Sequence, residues 1–326
     1  MFYKFEFRPY RRKFLTPLNT SHGVWETRDG VIIRLMDETD RVGWGEIAPI
    51  SWFGSETWEQ AVLFCQKLSN KITDEEIFSI PDRLPACQFG FESAREMVIQ
   101  DSSTVFSQIT SSGLLPAGKA ALNQWRELWE HGTSTFKWKI GVYSITEELS
   151  IFELLVRELP VTKLRLDANG GLSDREAEIW LQKCDDININ DDIHLEIEFI
   201  EQPLSVNQLS QMLELSQRYI TKIALDESVA TIKQLENCYQ KGWREIFVIK
   251  AGIIGSPSRL RQFCSIHQID TVFSSVFETS IGRDAALSLA AELSHKKRAV
   301  GFGVNHYFAE DEEMCLDLWK TNSAIL

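Results

Sequence analysis

The hydrophobic period changes along the first hundred residues. MFYKFEFRPYRRKF alternates apolar and polar positions, the period-2 mark of a half-buried strand. YKFEFRPY and, after a loop, GVWETRDGVIIRLMD read as strands, and Asp29-Gly30 between apolar-rich runs signals a hairpin. GWGEIAP (43–49) reads as a third strand. SETWEQAVLFCQKL shifts to helical spacing, with Trp58, Val62 and Cys65 on one face and Ser55 as cap. A second helix covers PACQFGFESAREMVIQ. Two loops, 15–24 and 50–54, hold the turn-forming residues.

Residues 101–113 are polar and read as a linker. From Leu114 onward the pattern alternates strand and helix. One helix sets Leu122, Trp125 and Trp129 on a face, and the next sets Leu149, Phe152 and Val156. Further helices follow near 173–186, 205–218, 231–241, 256–268 and 282–296. The last two strands are DTVFSSVFE and AVGFGV. Eight strands over about 190 residues are compact for a closed α/β barrel, but short helices allow it. The expected division is an α+β unit over 1–105, a barrel over 106–304 and a tail over 305–326.

Five strand-like segments end in residues able to do chemistry: FKWKIG with Lys137 and Lys139, LRLDANG with Asp167, EFIEQP with Glu201, IALDES with Asp226, and FVIKAG with Lys250. Neighbouring ends are one strand, loop, helix and loop apart. In a closed parallel barrel all of them open onto one face. Three carboxylates between lysines suit a divalent cation such as Mg²⁺, which prefers hard oxygen ligands. Taken singly, an acid at a strand end is more often structural, as a helix cap or ion-pair partner. Glu196 and Glu198 compete with Glu201, but only Glu201 stands before the Gln-Pro strand stop. Lysines in apolar runs such as WKIG and FVIKAG are unlike solvent-exposed ones, and burial or a nearby cation makes a lysine a usable base. Lys137 and Lys139 leave the same face of their strand, so their charges should oppose each other. In FSSVFETSIG, Ser274, Ser275, Thr279 and Ser280 with the Gly282 helix start form either an anion pocket or ordinary caps. Trp52 and Phe53 are lid aromatics or interdomain packing, and His306 is given no role.

Composition narrows this little. The chain has 326 residues, 44% of them apolar, enough for one barrel plus a smaller domain. A net charge of −13 argues against nucleic acid, whose binding rests on Lys and Arg. It also requires a local positive field if the small-molecule substrate is an anion. The six cysteines form no CxxC pair and read as reduced and buried. The start lacks a signal-type apolar core, and no run approaches the ~18 apolar residues of a membrane helix. The expected compartment is therefore the cytoplasm, with no membrane partner. The oligomeric state is not legible.

The series Lys-x-Lys, Asp-Ala-Asn, Glu-Gln-Pro, Asp-Glu-Ser and Ile-Lys resembles the enolase superfamily, in its muconate-lactonizing-enzyme branch. Within the branch, TRDG (27–30), GWGEIAPISWFGSETW (43–58), PACQFGFESA (85–94) and FSSVFETSIG (273–282) are similar to the o-succinylbenzoate synthase family. The resemblance implies a (β/α)7β TIM-like barrel under an α+β capping domain that the C-terminal tail completes. Loops 15–24 and 50–54 would close the pocket. Asp167, Glu201 and Asp226 would hold Mg²⁺, with Mn²⁺ as a substitute. Asn169 and Glu227 would support them. Lys139 would take the proton α to the substrate carboxylate. Metal and Lys137 would stabilise the enediolate. Lys250 would act electrostatically from the opposite face. The implied reaction is syn-dehydration of 2-succinyl-6-hydroxy-2,4-cyclohexadiene-1-carboxylate to o-succinylbenzoate, a menaquinone or phylloquinone precursor. Gly170-Gly171 departs from the bulkier residues of many relatives and implies a roomier pocket. The rivals are an N-acylamino acid racemase, a dipeptide epimerase or a non-catalytic barrel. Against the epimerase, GFGVNHYF (301–308) lacks the expected Asp-x-Asp.

Overall fold

Two sheets of opposite character divide the chain. The computed structural model describes residues 1–20, 23–100, 109–308 and 319. The first sheet is antiparallel: β1 (Phe2–Thr20), β2 (Gly23–Met36), β3 (Val42–Ile47) and β4 (Lys71–Thr73), in the order β3-β2-β1-β4. Helices α1 (Trp58–Lys67), α2 (Asp74–Phe78) and α3 (Pro85–Ile99) accompany it. Tyr3, Phe5, Val31, Ile33 and Ile47 share a core with Ala86, Phe91, Ala94 and Val98 of α3. Glycine permits this close approach, since a Cβ on Gly45 would stand 2.0 Å from the Gly90 carbonyl oxygen.

Three local expectations change. Asp29-Gly30 is no turn: β2 runs through it, with Arg11 opposite Asp29 and Tyr10 opposite Gly30. Gly30 is required because the Tyr10 ring lies where its Cβ would be, 2.4 Å away. β1 continues to Thr20 with a register shift between Lys13 and Leu18, so part of the expected 15–24 loop is strand. Helix α1 is capped by Thr57 in a capping box with Gln60, while the Ser55 hydroxyl accepts the Ile50 N–H instead.

The second sheet is parallel and seven-stranded: β5 (Gly113–Leu115), β6 (Thr135–Lys139), β7 (Lys163–Asp167), β8 (Glu196–Glu201), β9 (Ile223–Leu225), β10 (Ile246–Ile249) and β11 (Asp270–Phe273), in sequential order. Between them lie α4 (Ala121–Glu130), α5 (Ile145–Glu158), α6 (Asp174–Asn188), α7 (Leu209–Arg218), α8 (Ile232–Gln240), α9 (Ala251–Ile254) and α10 (Pro257–His267), and α11 (Ser280–Leu293) follows β11. The expected eighth strand shrinks to Val300 and Gly301. Val300 exchanges bonds with Thr110 and Ser112 at 2.8 Å, and Gly301 bonds Phe273 at 2.8 Å and Ser275 at 3.0 Å, which joins the two sheet edges. The fold is thus a TIM-like barrel with an α+β cap. Most of the expected linker, 101–108, lies outside the described residues, as does Cys315 of the expected tail. The five described cysteines are buried and unpaired. Among the described residues no helix is long and apolar enough to cross a membrane.

Acids of the first unit cap helices of the second. Glu92 accepts from the Ser258 N–H at 3.0 Å at the start of α10, and Glu46 accepts from the Gly282 N–H at 3.0 Å at the start of α11.

Candidate active site

Strand register places the charged ends of the five segments at one mouth. Lys139 pairs with Asp167 and Asp167 with Glu201 across β6, β7 and β8. Glu201 pairs with Ala224, which sets Asp226 just past the end of β9, and Lys250 directly follows β10. Lys137 Nζ lies 2.8 Å from Asp167 Oδ2 and 2.7 Å from Glu201 Oε1. Lys250 pairs with Asp226. Asp167, Glu201 and Asp226 are all buried. Among the described residues Lys139 makes no hydrogen bond or ion pair, and its side chain is only half-buried.

The competition among the β8 acids is resolved by a bulge. The register slips between Leu164 and Arg165, so Glu198 reaches Arg165 of β7, while Glu201, three residues on, stands opposite Asp167 and reaches Lys137 of β6. Glu198 bonds Arg165 and Arg298 at 2.6 Å, toward the other end of the barrel. Glu196 is exposed beside Lys163.

Charge is unbalanced at the mouth. Burial pushes the Glu201 carboxyl up to about 8, and Asp167 and Asp226 add to this against the pull of Lys137. Burial and Glu227 likewise outweigh Lys250 and push Asp226 up to about 6. Asp167 is lowered despite its burial, because Lys137 lies against it. Lys137 runs opposite to the expected mutual opposition of the lysines. Its burial is overcome by Asp167, Glu201 and Asp226, and its pKa rises. Glu227 leaves Oε2 buried without a partner, while its Oε1 accepts from Asn169 Nδ2 at 3.2 Å. Asn169, in the left-handed region at φ 44°, also gives its N–H to Asp167 Oδ1 at 3.1 Å.

Three buried acids and the half-buried Glu227 thus face two engaged ammonium groups. Among the described residues no three acidic, His or Cys side chains converge into a metal-holding cluster, since the lysines lie among them. The donor set nevertheless fits a divalent cation. It offers hard carboxylate oxygens, surplus negative charge and an orphaned Glu227 oxygen.

The expected anion pocket takes another form. The Ser275 hydroxyl donates to Glu278 at 2.8 Å and the Thr279 hydroxyl to Glu46, so both are committed to carboxylates. Ser274 lies where the barrel closes, bridged to Gly301. The helix start at Gly282 does receive a carboxylate, but it is the protein's own Glu46, which also accepts from Tyr10 Oη at 2.5 Å. A charged residue inside the apolar strand GWGEIAP was the available signal.

Gln202 was not foreseen as a support, and Phe53, expected as a lid or packing aromatic, lies over a site lysine. Buried Gln202 accepts the N–H of Asp226 and of Ser228 at 3.1 Å and gives its amide to Leu204 and Ser228, which fixes Asp226 at the end of β9. Phe53 places its ring centroid 4.0 Å from Lys250 Nζ.

Comparison with known proteins agrees with this geometry. Residues 120–319 match the family model described as Enolase C-terminal domain-like, and residues 16–98 match that of MenC, N-terminal domain. The o-succinylbenzoate synthase of Thermosynechococcus vestitus is 39% identical over 93% of both chains. The L-Ala-D/L-Glu epimerase of Bacillus subtilis is 26% identical over 87% of this chain and 82% of its own. Among solved structures, the o-succinylbenzoate synthase of Thermosynechococcus elongatus BP-1, complexed with Mg in its active site, superposes with a TM-score of 0.88 at 37% identity, covering 97% of this chain and 99% of that one. The chain belongs to the enolase superfamily and, within it, to the o-succinylbenzoate synthase family.

Proposed function

We propose that this protein is a Mg²⁺-dependent hydro-lyase that converts 2-succinyl-6-hydroxy-2,4-cyclohexadiene-1-carboxylate to o-succinylbenzoate. The observation that carries the reading is one unengaged ammonium, Lys139, beside a buried nest of carboxylates, in a chain 39% identical to a synthase of that name. Asp167, Glu201 and Asp226 would hold the cation. When bound, Mg²⁺ supplies positive charge for the substrate carboxylate and for the enediolate derived from it.

The lysines divide the remaining work. Lys139 is in reach of substrate and takes the proton α to the carboxylate. Lys137, fixed by Asp167 and Glu201, stays cationic and adds positive charge on the same face. Lys139 then returns its proton to the leaving hydroxyl. The C–H and C–O bonds break, a C=C bond completes the aromatic ring, and water leaves from the face on which the proton was taken. Lys250, held between Asp226 and Phe53, remains a fixed cation. A racemase or epimerase needs a base on each face, and of the three site lysines, Lys137, Lys139 and Lys250, only Lys139 is unengaged. The reading also places the enzyme in the cytoplasm, where its cysteines stay reduced.

The test follows the loss of cyclohexadiene absorbance with and without Mg²⁺. Turnover is expected only with the metal, and Lys139→Ala should lower kcat by about 10³-fold or more in a folded protein. No turnover by folded wild type with Mg²⁺ would overturn the reading. α-Proton exchange of N-acylamino acids and dipeptides in D₂O would then decide between the rivals.

A further inference from the structure

The segment that leaves β11 at the barrel mouth contains a strained aromatic residue. Phe277 has φ 61°, in the left-handed region that bulky side chains avoid. Its surroundings enforce the strain. The Phe277 N–H donates to Ser275 Oγ at 2.9 Å, Ser275 donates in turn to Glu278, and the Val276 N–H donates to the same carboxylate at 2.5 Å. Arg28 of β2 donates to the Val276 carbonyl at 2.9 Å.

This backbone drives the ring into the seam between the two units. Phe277 meets Phe14 of β1 at 5.5 Å, Trp25 of β2 at 5.4 Å and Tyr307, beyond the barrel, at 5.7 Å, all edge-on. Trp25 continues the series to Trp52 at 4.9 Å. The residue after Trp52 is Phe53, whose ring covers Lys250. The turn beneath it is tight. Phe53 N–H bonds the Ile50 carbonyl at 2.9 Å, and Gly54 takes φ 108°. A train of rings therefore runs from Phe277 through Trp25 to Trp52, whose chain neighbour Phe53 covers a site lysine.

We propose that Phe277 is a positioning residue that sets loop 50–54 over the pocket and thereby governs substrate affinity. The inference rests on the synthase reading for its substrate. Lys139 and Lys137 stand on β6, outside the ring train, so the chemical step should depend on it much less than binding does.

The test compares wild type with Phe277→Leu, Phe277→Tyr and Trp52→Ala. Trp52 is 41% exposed, so its removal cuts the train without emptying a core. In Phe277→Leu and Trp52→Ala, amide exchange over 50–54 should quicken about tenfold and KM should rise about tenfold. The kcat should stay within about threefold, and Phe277→Tyr, which keeps the ring, should restore both values. Wild-type exchange and KM in the variants would overturn the proposal. So would a loosened loop with unchanged KM, or faster exchange throughout the barrel strands. Absence of turnover in wild type would instead count against the synthase reading, which keeps the two failures apart.

Discussion

Strands β7 and β8 carry buried charges toward both of their ends, and the two ends are built oppositely. Toward the start, Arg165 and Arg298 share Glu198, and Arg298 also grips Asp270 at 2.7 Å and 2.8 Å. Burial would raise the Glu198 carboxyl, but the two guanidinium groups outweigh it and hold it below the ordinary range. Toward the mouth, Glu201 and Asp226 are pushed up to about 8 and about 6, because burial and neighbouring acids prevail over the lysines. Glu198 lies somewhat nearer water than Glu201 or Asp226, and the charges also differ: guanidinium groups face Glu198, whereas other acids crowd the mouth carboxyls. The matched end already pairs its charges, whereas the unmatched end gains most from a cation that arrives from solution.

The comparison breaks hardest at Glu198. Glu198→Ala strands the Arg165 guanidinium inside the barrel and leaves Arg298 with Asp270 alone, and it should cost about 3–5 kcal/mol. Urea unfolding would measure it, and a loss below about 1 kcal/mol would mean that water already screens the pair.

Glu201→Gln should act with the opposite sign. In metal-free protein it removes a poorly compensated buried charge and should be neutral or stabilising by about 1 kcal/mol. Saturating Mg²⁺ should reverse the order. Wild type gains about 2.7 kcal/mol at a hundredfold excess over Kd, and the variant gains less. Thermal unfolding with and without Mg²⁺ reads both signs. Equal metal-linked gains would remove Glu201 from the proposed ligand set.

Acid should weaken the matched end, but only after Glu201 and Asp226 at the mouth have taken their protons. The Glu198 pKa is lower folded than its ordinary 4.5, so its contribution is present above that value and is lost as pH falls through the folded pKa. Below about pH 4.5 wild type should lose stability faster than Glu198→Gln, by no more than about 1.4 kcal/mol per pH unit. Parallel Tm profiles for the two proteins would refute the assignment.

Much of this contrast was legible in the chain. The spacing of Asp167, Glu201, Asp226 and Lys250 reflects one βα unit each, and local periodicity shows such units directly. Side-chain partnership was hidden. Nothing in LEIEFIEQP announces a bulge, yet the bulge lets Glu198 and Glu201 reach opposite clusters. Gly30 was misread because a glycine beneath a cross-strand ring looks, in sequence, like a glycine in a turn. Ser275 and Thr279 looked available to a ligand because their carboxylate partners include Glu46, more than two hundred residues away. The contacts of Phe14, Trp25 and Phe277 gave no signal in the chain, since ring contacts across the seam leave no period.

The smallest expected effect tests whether matching matters only when buried. Glu196 lies two residues before Glu198 on β8 and pairs with Lys163 at 3.1 Å, but its side chain is 55% exposed and the lysine 46%. Water solvates both charges whether or not they meet, and holding two long side chains in one geometry costs entropy. Glu196→Gln should therefore change stability by less than about 0.5 kcal/mol, against several for its neighbour. The same urea titration measures both variants. A loss at Glu196 comparable to that at Glu198 would show that net charge around the barrel base, rather than desolvation of particular pairs, sets the stability of that end.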